Sequence, residues 1–409
     1  MTERKENDMT SNKGRRFANL IAGAIAMAAV TVGSALPAFA ASDSFNKKYT
    51  VFIPSGETES SYKSPAETFK FASGAAGTTG TENKASFAAL KATTWNTNTT
   101  DMQEVSSFDT AGANADPAKY AAITTDANIP QTVTIGTAAY AEGGATSAGA
   151  NVAVTVTPEG TYTKPGVYYY DFHEVVGSTA GVNYNNDSFR VGVTVEKQGG
   201  ALTPVHITLI DKSEKNKKAD NIQNSYSAGK LTFTKKVTGN MGDTDKQFTV
   251  KVSLTAPAIS DTNTTKKTVS SVISVVGNDK AESSEMGSIN PADWTGGTVE
   301  KTYTVKDGTS ITLTNIPEGV SCLVKENDYS GEGYTTTYLL NGSDNELTDA
   351  NLEAKKMGNA GSIAVTITNT NETTIDAGVF TTNLPYILIL LAAVAGAVVF
   401  VVVSRKRRA

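Results

Sequence analysis

Apolar side chains recur at every second position through most of the chain from Phe45 onward. Tyr49, Val51 and Ile53 fall on one face of an extended segment, as do Tyr168, Tyr170 and Phe172. Phe189, Val191, Val193 and Val195 form another such row, and Val205, Ile207 and Leu209 a fourth. Period two is the signature of half-buried strands, so each row predicts one. Beyond the turn-forming Ser227-Ala228-Gly229 the pattern starts again. Leu231 with Phe233, Phe248 to Leu254, Tyr303 with Val305, Ile311 with Leu313, and Ile363 to Ile367 all alternate. Short strands separated by turn residues predict all-β architecture, as two tandem Ig-like β-sandwiches over 41–227 and 228–372. The segment 72–149 is rich in Gly, Thr and Ala and reads as long loops on the first domain, with room for a helical turn.

The two ends depart from this pattern. Lys13, Arg15 and Arg16 precede the apolar Phe17 to Leu36, and Ala38-Phe39-Ala40 closes it with small residues. That is the layout of a secretory signal, residues 1–40, with cleavage expected between Ala40 and Ala41. At the other end 384–403 is an uncharged apolar run of about twenty residues, enough for one transmembrane helix. The basic tail 404–409 follows, which places everything before Leu384 outside the cell.

Composition narrows the function. The chain has 36 basic and 41 acidic residues and a net charge of -5, which gives no basis for binding nucleic acid. His173 and His206 are the only histidines, and neither has the spacing of a metal site. Alternation points His173 outward from its strand. No phosphate loop or nucleophile elbow is present, so no cofactor and no turnover enzyme are expected. Cys322 is the single cysteine and alternates with Val324, which reads as a small core residue. An exported β protein without an intrachain disulfide lacks the usual extracellular staple.

The core pattern itself suggests a substitute. Phe45, Lys47 and Tyr49 share a face in the first domain, as do Tyr170, Phe172 and Glu174, and then Ile222, Asn224 and Tyr226. The second domain repeats the order: Leu231, Phe233 and Lys235; Cys322, Val324 and Glu326; Ile367 and Asn369. Burial favours a neutral amine and a protonated carboxylic acid over their charged forms. A neutral lysine beside an asparagine carbonyl polarised by a protonated Glu can form an amide and expel ammonia. Lys47–Asn224 and Lys235–Asn369 isopeptide bonds are therefore expected, catalysed once per molecule by Glu174 and Glu326.

Two resemblances add to this. Ile375-Asp376-Ala377-Gly378-Val379 (in 373–383), followed by the apolar run and basic tail, resembles a sortase cell-wall sorting signal, with cleavage between Ala377 and Gly378. Ala377 stands where such motifs carry Thr, and simple membrane anchoring is the alternative. Pro165-Gly166-Val167-Tyr168-Tyr169-Tyr170 with Glu174, and Ile222-Gln223-Asn224-Ser225-Tyr226, resemble the streptococcal pilin isopeptide-linker domain. Leu231 to Asn240 and Thr366 to Thr370 resemble the opening and closing strands of the next domain in such proteins.

The resemblance implies a Gram-positive backbone pilin of the T-antigen type, with collagen-adhesin-B-like domains. Sortase would join copies of the chain head to tail and attach the fibre to peptidoglycan in the cell wall, for adhesion and colonisation. The acceptor lysine in such pilins precedes the closing Asn strand, which implies Lys218, then Lys217, among Lys212, Lys215, Lys217 and Lys218. The alternative is a monomeric anchored adhesin whose 72–149 loops bind a host glycan or protein.

Overall fold

A computed structural model describes residues 43–92, 129–214, 217–282, 286–343, 345–372 and 378–406. The Ala40–Ala41 signal site and Ala377 lie outside these residues. The fold is all-β, with two hydrophobic cores in succession along the chain.

In the first core the strand Ser44–Phe52 lies between Ala150–Pro158, antiparallel, and the start of Asn221–Thr238, parallel. Gly166–Glu174 faces it from the other layer, paired with Ser188–Gln198 on one side and with Phe71–Ser73 and Lys84–Ala92 on the other. Alternation drives Phe45, Tyr49 and Val51 inward to meet Phe69, Phe71 and Phe172. Edge-to-face ring contacts such as Tyr49 on Phe69, 5.1 Å between centroids, fill the space between layers.

The second core repeats the plan. The same Asn221–Thr238 strand continues between Ser310–Pro317, antiparallel, and Ser362–Thr370, parallel. Phe248–Thr255 forms the facing layer between Thr298–Val305 and Ser321–Glu326. The predicted break at Ser227-Ala228-Gly229 thus lies inside one strand of 18 residues whose halves serve different cores.

Two expectations are corrected. The span 72–149 is not simply loop: it includes the strands Lys84–Ala92, Thr132–Ile135 and Ala138–Tyr140. Lys84–Ala92 is rich in Ala and the other two strands are only four and three residues long, too little to make a row of apolar positions visible, yet Ala85, Val133, Ile135 and Ala138 are fully buried. His173 does not point to solvent. It is 7% exposed, and its Nδ1 lies 3.3 Å from the Gly74 carbonyl oxygen. Phe71–Ser73 pairs alongside at Ala72 and helps bury the face that alternation leaves open.

Where the cores meet, Asn315 makes a three-way tie. The pairing of Ser310–Pro317 with the long strand slips by one residue between Gly229 and Lys230, leaving Asn315 as the extra residue of a bulge at φ 66°. Its Nδ2 donates to the carbonyl oxygens of Lys63, at 3.0 Å, and Val272, at 2.9 Å, while Oδ1 accepts from the Tyr226 hydroxyl at 3.2 Å. Asn315→Ala should cost about 3 kcal/mol in urea unfolding, from the lost bonds and the left-handed backbone. Asn315→Gly loses the same bonds but tolerates that backbone, and should be less harmful by about 1 kcal/mol.

The α-helix Gly378–Lys406 closes the described chain. No helix among the described residues is long and apolar enough to cross a membrane. The helix Gly378–Lys406 has 29 residues, about 43 Å at 1.5 Å each, and exposes Leu388, Ile389, Leu390, Leu391 and Phe400.

Candidate functional site

Each core holds a buried Lys-Glu-Asn cluster. In the first, Lys47 and Glu174 are buried to 0% and 1% exposure and Asn224 to 2%. Parallel pairing sets Lys47 opposite Ile222, so Asn224 lies two residues farther along the neighbouring strand, on the same face. Glu174 reaches across from the other layer. Lys47 Nζ donates to Glu174 Oε2 at 2.6 Å, and Asn224 Nδ2 donates to Glu174 Oε1. One carboxyl group thus bridges amine and amide. The Phe69 ring lies 4.7 Å from Nζ.

The second cluster has the same register. Lys235 pairs with Ile367, again two residues before the asparagine, here Asn369. Lys235 Nζ lies 3.3 Å from Glu326 Oε1 with both side chains at 0% exposure, and 4.3 Å from the Phe248 ring centre. The predicted polar residues are therefore brought together in both cores, each with a phenylalanine over the amine. The phenylalanines were not singled out in the sequence because each reads as ordinary core.

The electrostatics suit amide formation. Burial pulls the Lys47 amine down to about 8, against the opposing attraction of Glu174. Burial likewise pushes the Glu174 carboxyl up, although Lys47, Asn224 and the Asn185 amide all favour its charged form. Lys235 is lowered to about 8 by burial and Glu326 raised by burial. Lysine down and glutamate up brings the neutral pair close in energy to the ion pair, and the 2.6 Å contact is a path for the proton.

One feature differs from the sequence reading. Glu174 does not polarise the Asn224 carbonyl; it holds the amide nitrogen. The carbonyl oxygen Oδ1 instead accepts the backbone N–H of Asn185 at 2.9 Å. A backbone N–H can only donate, so the amide has to turn its oxygen that way and its nitrogen toward Glu174. Nothing in the sequence around Asn185 signals this role, because a main-chain group performs it.

The other predicted residues lie elsewhere. Lys217 and Lys218 form a short exposed strand paired with Asp211 and Ile210, just ahead of Asn221–Thr238. Lys212 is engaged by Asp171 at 2.7 Å. Gly378 begins the C-terminal helix. Cys322 is buried, its Sγ 3.7 Å from the Val320 carbonyl oxygen, and burial pushes its thiol up to about 12.

Comparison with known proteins adds a family. Residues 229–371 match a family described as a domain of unknown function, DUF7601. The crystal structure of the major pilin from Streptococcus pyogenes is 21% identical, covers 82% of this chain and 100% of its own, and gives a TM-score of 0.46. The major pilin T3.2 of the same species is 18% identical, covering 81% of this chain and 98% of its own at a TM-score of 0.45. A curated pilin of S. pyogenes serotype M1 is 32% identical over 248 residues, which are 59% of this chain and 69% of that protein. On that identity and coverage, the chain belongs to the pilins of Gram-positive bacteria.

Proposed function

We propose that the chain is the shaft subunit of a surface pilus, stiffened by Lys47–Asn224 and Lys235–Asn369 isopeptide bonds and joined covalently to further copies by a sortase. The observation that carries this reading is the repeated buried cluster. Two buried Lys-Glu-Asn sets, each in the same parallel register, are costly to bury without a chemical purpose.

The chemistry balances. The neutral Lys47 amine attacks Cγ of Asn224, a C–N bond forms and the Cγ–Nδ2 bond breaks. Glu174 takes the proton lost by Nζ and supplies one to Nδ2, which leaves as ammonia. Amine and primary amide become a secondary amide plus ammonia, and Glu174 is returned unchanged. Glu326 serves Lys235 and Asn369 in the same way.

The long strand supports head-to-tail assembly. Lys217 and Lys218 immediately precede its start, and Thr370 pairs with Thr238 at its end. Its 18 residues extend about 60 Å at 3.3 Å each. An acceptor lysine and the chain leading to Ala377 and Gly378 would therefore lie at opposite ends of one strand. Tension entering at Lys218 would run along this strand to Lys235 and leave through the cross-link to Asn369. The exposed apolar helix fits a single-pass precursor held in the membrane until sortase cleaves, with the wall peptidoglycan as final anchor.

Wall extracts boiled in detergent should give a ladder of high-mass species. Lys217→Ala with Lys218→Ala should collapse it to the monomer. A single band from the unaltered chain would overturn polymerisation and favour a monomeric anchored adhesin.

A further inference from the structure

The two clusters share a register but not a complete set of catalytic contacts. Resting on the isopeptide reading above, we propose that the backbone N–H of Asn185 is an oxyanion donor for the Lys47–Asn224 bond. Among the described residues the second site has no equivalent donor, so the Lys235–Asn369 bond forms later.

Attack by the Lys47 amine on Cγ pushes the carbonyl electrons onto Asn224 Oδ1. The negative charge develops on the atom that already accepts the Asn185 N–H at 2.9 Å. A fixed donor aimed at that atom in a dry site needs no rearrangement as the charge appears. The leaving nitrogen faces Glu174, the group able to protonate it. Amine, proton carrier and oxyanion donor therefore surround one amide.

Local pairing explains why this N–H is available. The strand Val182–Asn183 pairs antiparallel with Ser225 and Tyr226, the residues that follow Asn224, and stops after two positions. Asn185, just past its end, is released from the ladder and turns its N–H to the side chain. An Asx turn fixes the segment, the Asp187 N–H donating to Asn185 Oδ1 at 2.8 Å. The Tyr184 hydroxyl anchors it further by donating to Glu67 Oε2 at 3.0 Å.

The neighbour of Asn369 is built differently. Thr335–Leu340 pairs along Ser362–Thr370 without a break, with Thr336 opposite Asn369. That regular ladder engages the nearby main chain. Asn369 is 0% exposed, and neither Oδ1 nor Nδ2 makes a hydrogen bond among the described residues. It lies near enough to Glu326 to favour the charged carboxyl, yet without an aligned bond. Lys235 Nζ is also drawn toward the Lys236 carbonyl oxygen at 3.4 Å. The second amide is therefore neither polarised nor held for attack.

Removal of one oxyanion donor slows acyl transfer by about 10²–10³ in enzymes that catalyse it. The test is a time course on the full chain, synthesised cell-free in detergent micelles. Samples are denatured, digested and assayed by mass spectrometry for the two cross-linked peptides. The Lys47–Asn224 peptide should appear at least about tenfold faster than the Lys235–Asn369 peptide. Asn185→Pro removes the N–H and should slow the first bond about 100-fold while leaving the second unchanged. Asn185→Ala keeps the N–H and should slow the first bond by only a few fold.

Equal rates in the unaltered chain would overturn the proposal, as would an unslowed first bond in Asn185→Pro. An Asn185→Ala chain as slow as Asn185→Pro would also overturn it, by assigning the effect to the turn rather than the N–H. The second bond, measured in the same sample, reports whether the rest of the chain still folds. If neither bond forms in the unaltered chain, the isopeptide reading itself fails, which is a distinct result.

Discussion

Glu174→Ala should leave residues 41–374 only one ammonia short of the mass that the variant's own sequence requires and lower its thermal midpoint by at least about 10–20 °C. The unaltered fragment should weigh two ammonia molecules less than its sequence requires. Lys47→Ala and Lys235→Ala should each remove one cross-link. A bond from residue 47 to 224, or from 235 to 369, closes a loop of well over a hundred residues. In the chain-entropy account each contributes about 5 kcal/mol by restricting the unfolded state. For a domain of this size, 1 kcal/mol moves the midpoint by about 2–4 °C, which gives the stated drop.

The variants also separate chemistry from burial. Glu174→Ala leaves a buried amine without its carboxylate, an added cost of about 3–5 kcal/mol where the charge persists. Asn224→Ala prevents the bond but keeps the Lys47–Glu174 pair, so it should be the milder change. Equal midpoints for these two variants would show that the buried amine loses its proton at little cost. A full calculated mass for the unaltered fragment would remove both bonds from the account and leave an ordinary β protein.

The site was legible because it violates the core pattern. Lys47 lies between Phe45 and Tyr49 on one strand face, and Lys235 follows Leu231 and Phe233, so alternation alone placed both amines inside. The register that sets each asparagine two residues beyond its lysine's partner was not legible. It depends on parallel pairing between strands far apart in sequence. Period two also failed at Gly166–Glu174, where both faces are largely covered, and His173 went inside with Phe172. The strands within 72–149 were hidden because Thr132–Ile135 and Ala138–Tyr140 are only four and three residues long and Lys84–Ala92 is rich in Ala, too little for a row of apolar positions to stand out. Asn185 and Asn315 act through a main-chain N–H and a bulge, and neither leaves a pattern in side-chain polarity.

With both asparagines changed to alanine, the uncross-linked chain should gain stability as pH rises from 8 to about 9.5. Burial lowers Lys47 and Lys235 to about 8, against 10.5 for a freely solvated lysine. Between those values the unfolded chain binds more protons than the folded one, so unfolding becomes less favourable as pH rises. Each lysine contributes up to about 1.4 kcal/mol per pH unit, and about half that near pH 8 where the folded amine is half protonated, so the rise should total about 3 kcal/mol by urea titration. The glutamates act in the opposite direction in a lower window. Their raised folded values mean that stability falls as pH climbs above 4.5. Buried tyrosines end the upper window: Tyr62 and Tyr140 are both pushed up to about 12, so above pH 10 the unfolded chain loses protons first and stability drops. The cross-linked chain should lack the rise between 8 and 9.5, because an amide nitrogen does not titrate there. Lys47→Met with Lys235→Met in the asparagine-free background should abolish it too. If the rise persists without the lysines, its source is another group, and the depressed amines on which cross-linking depends lose their support.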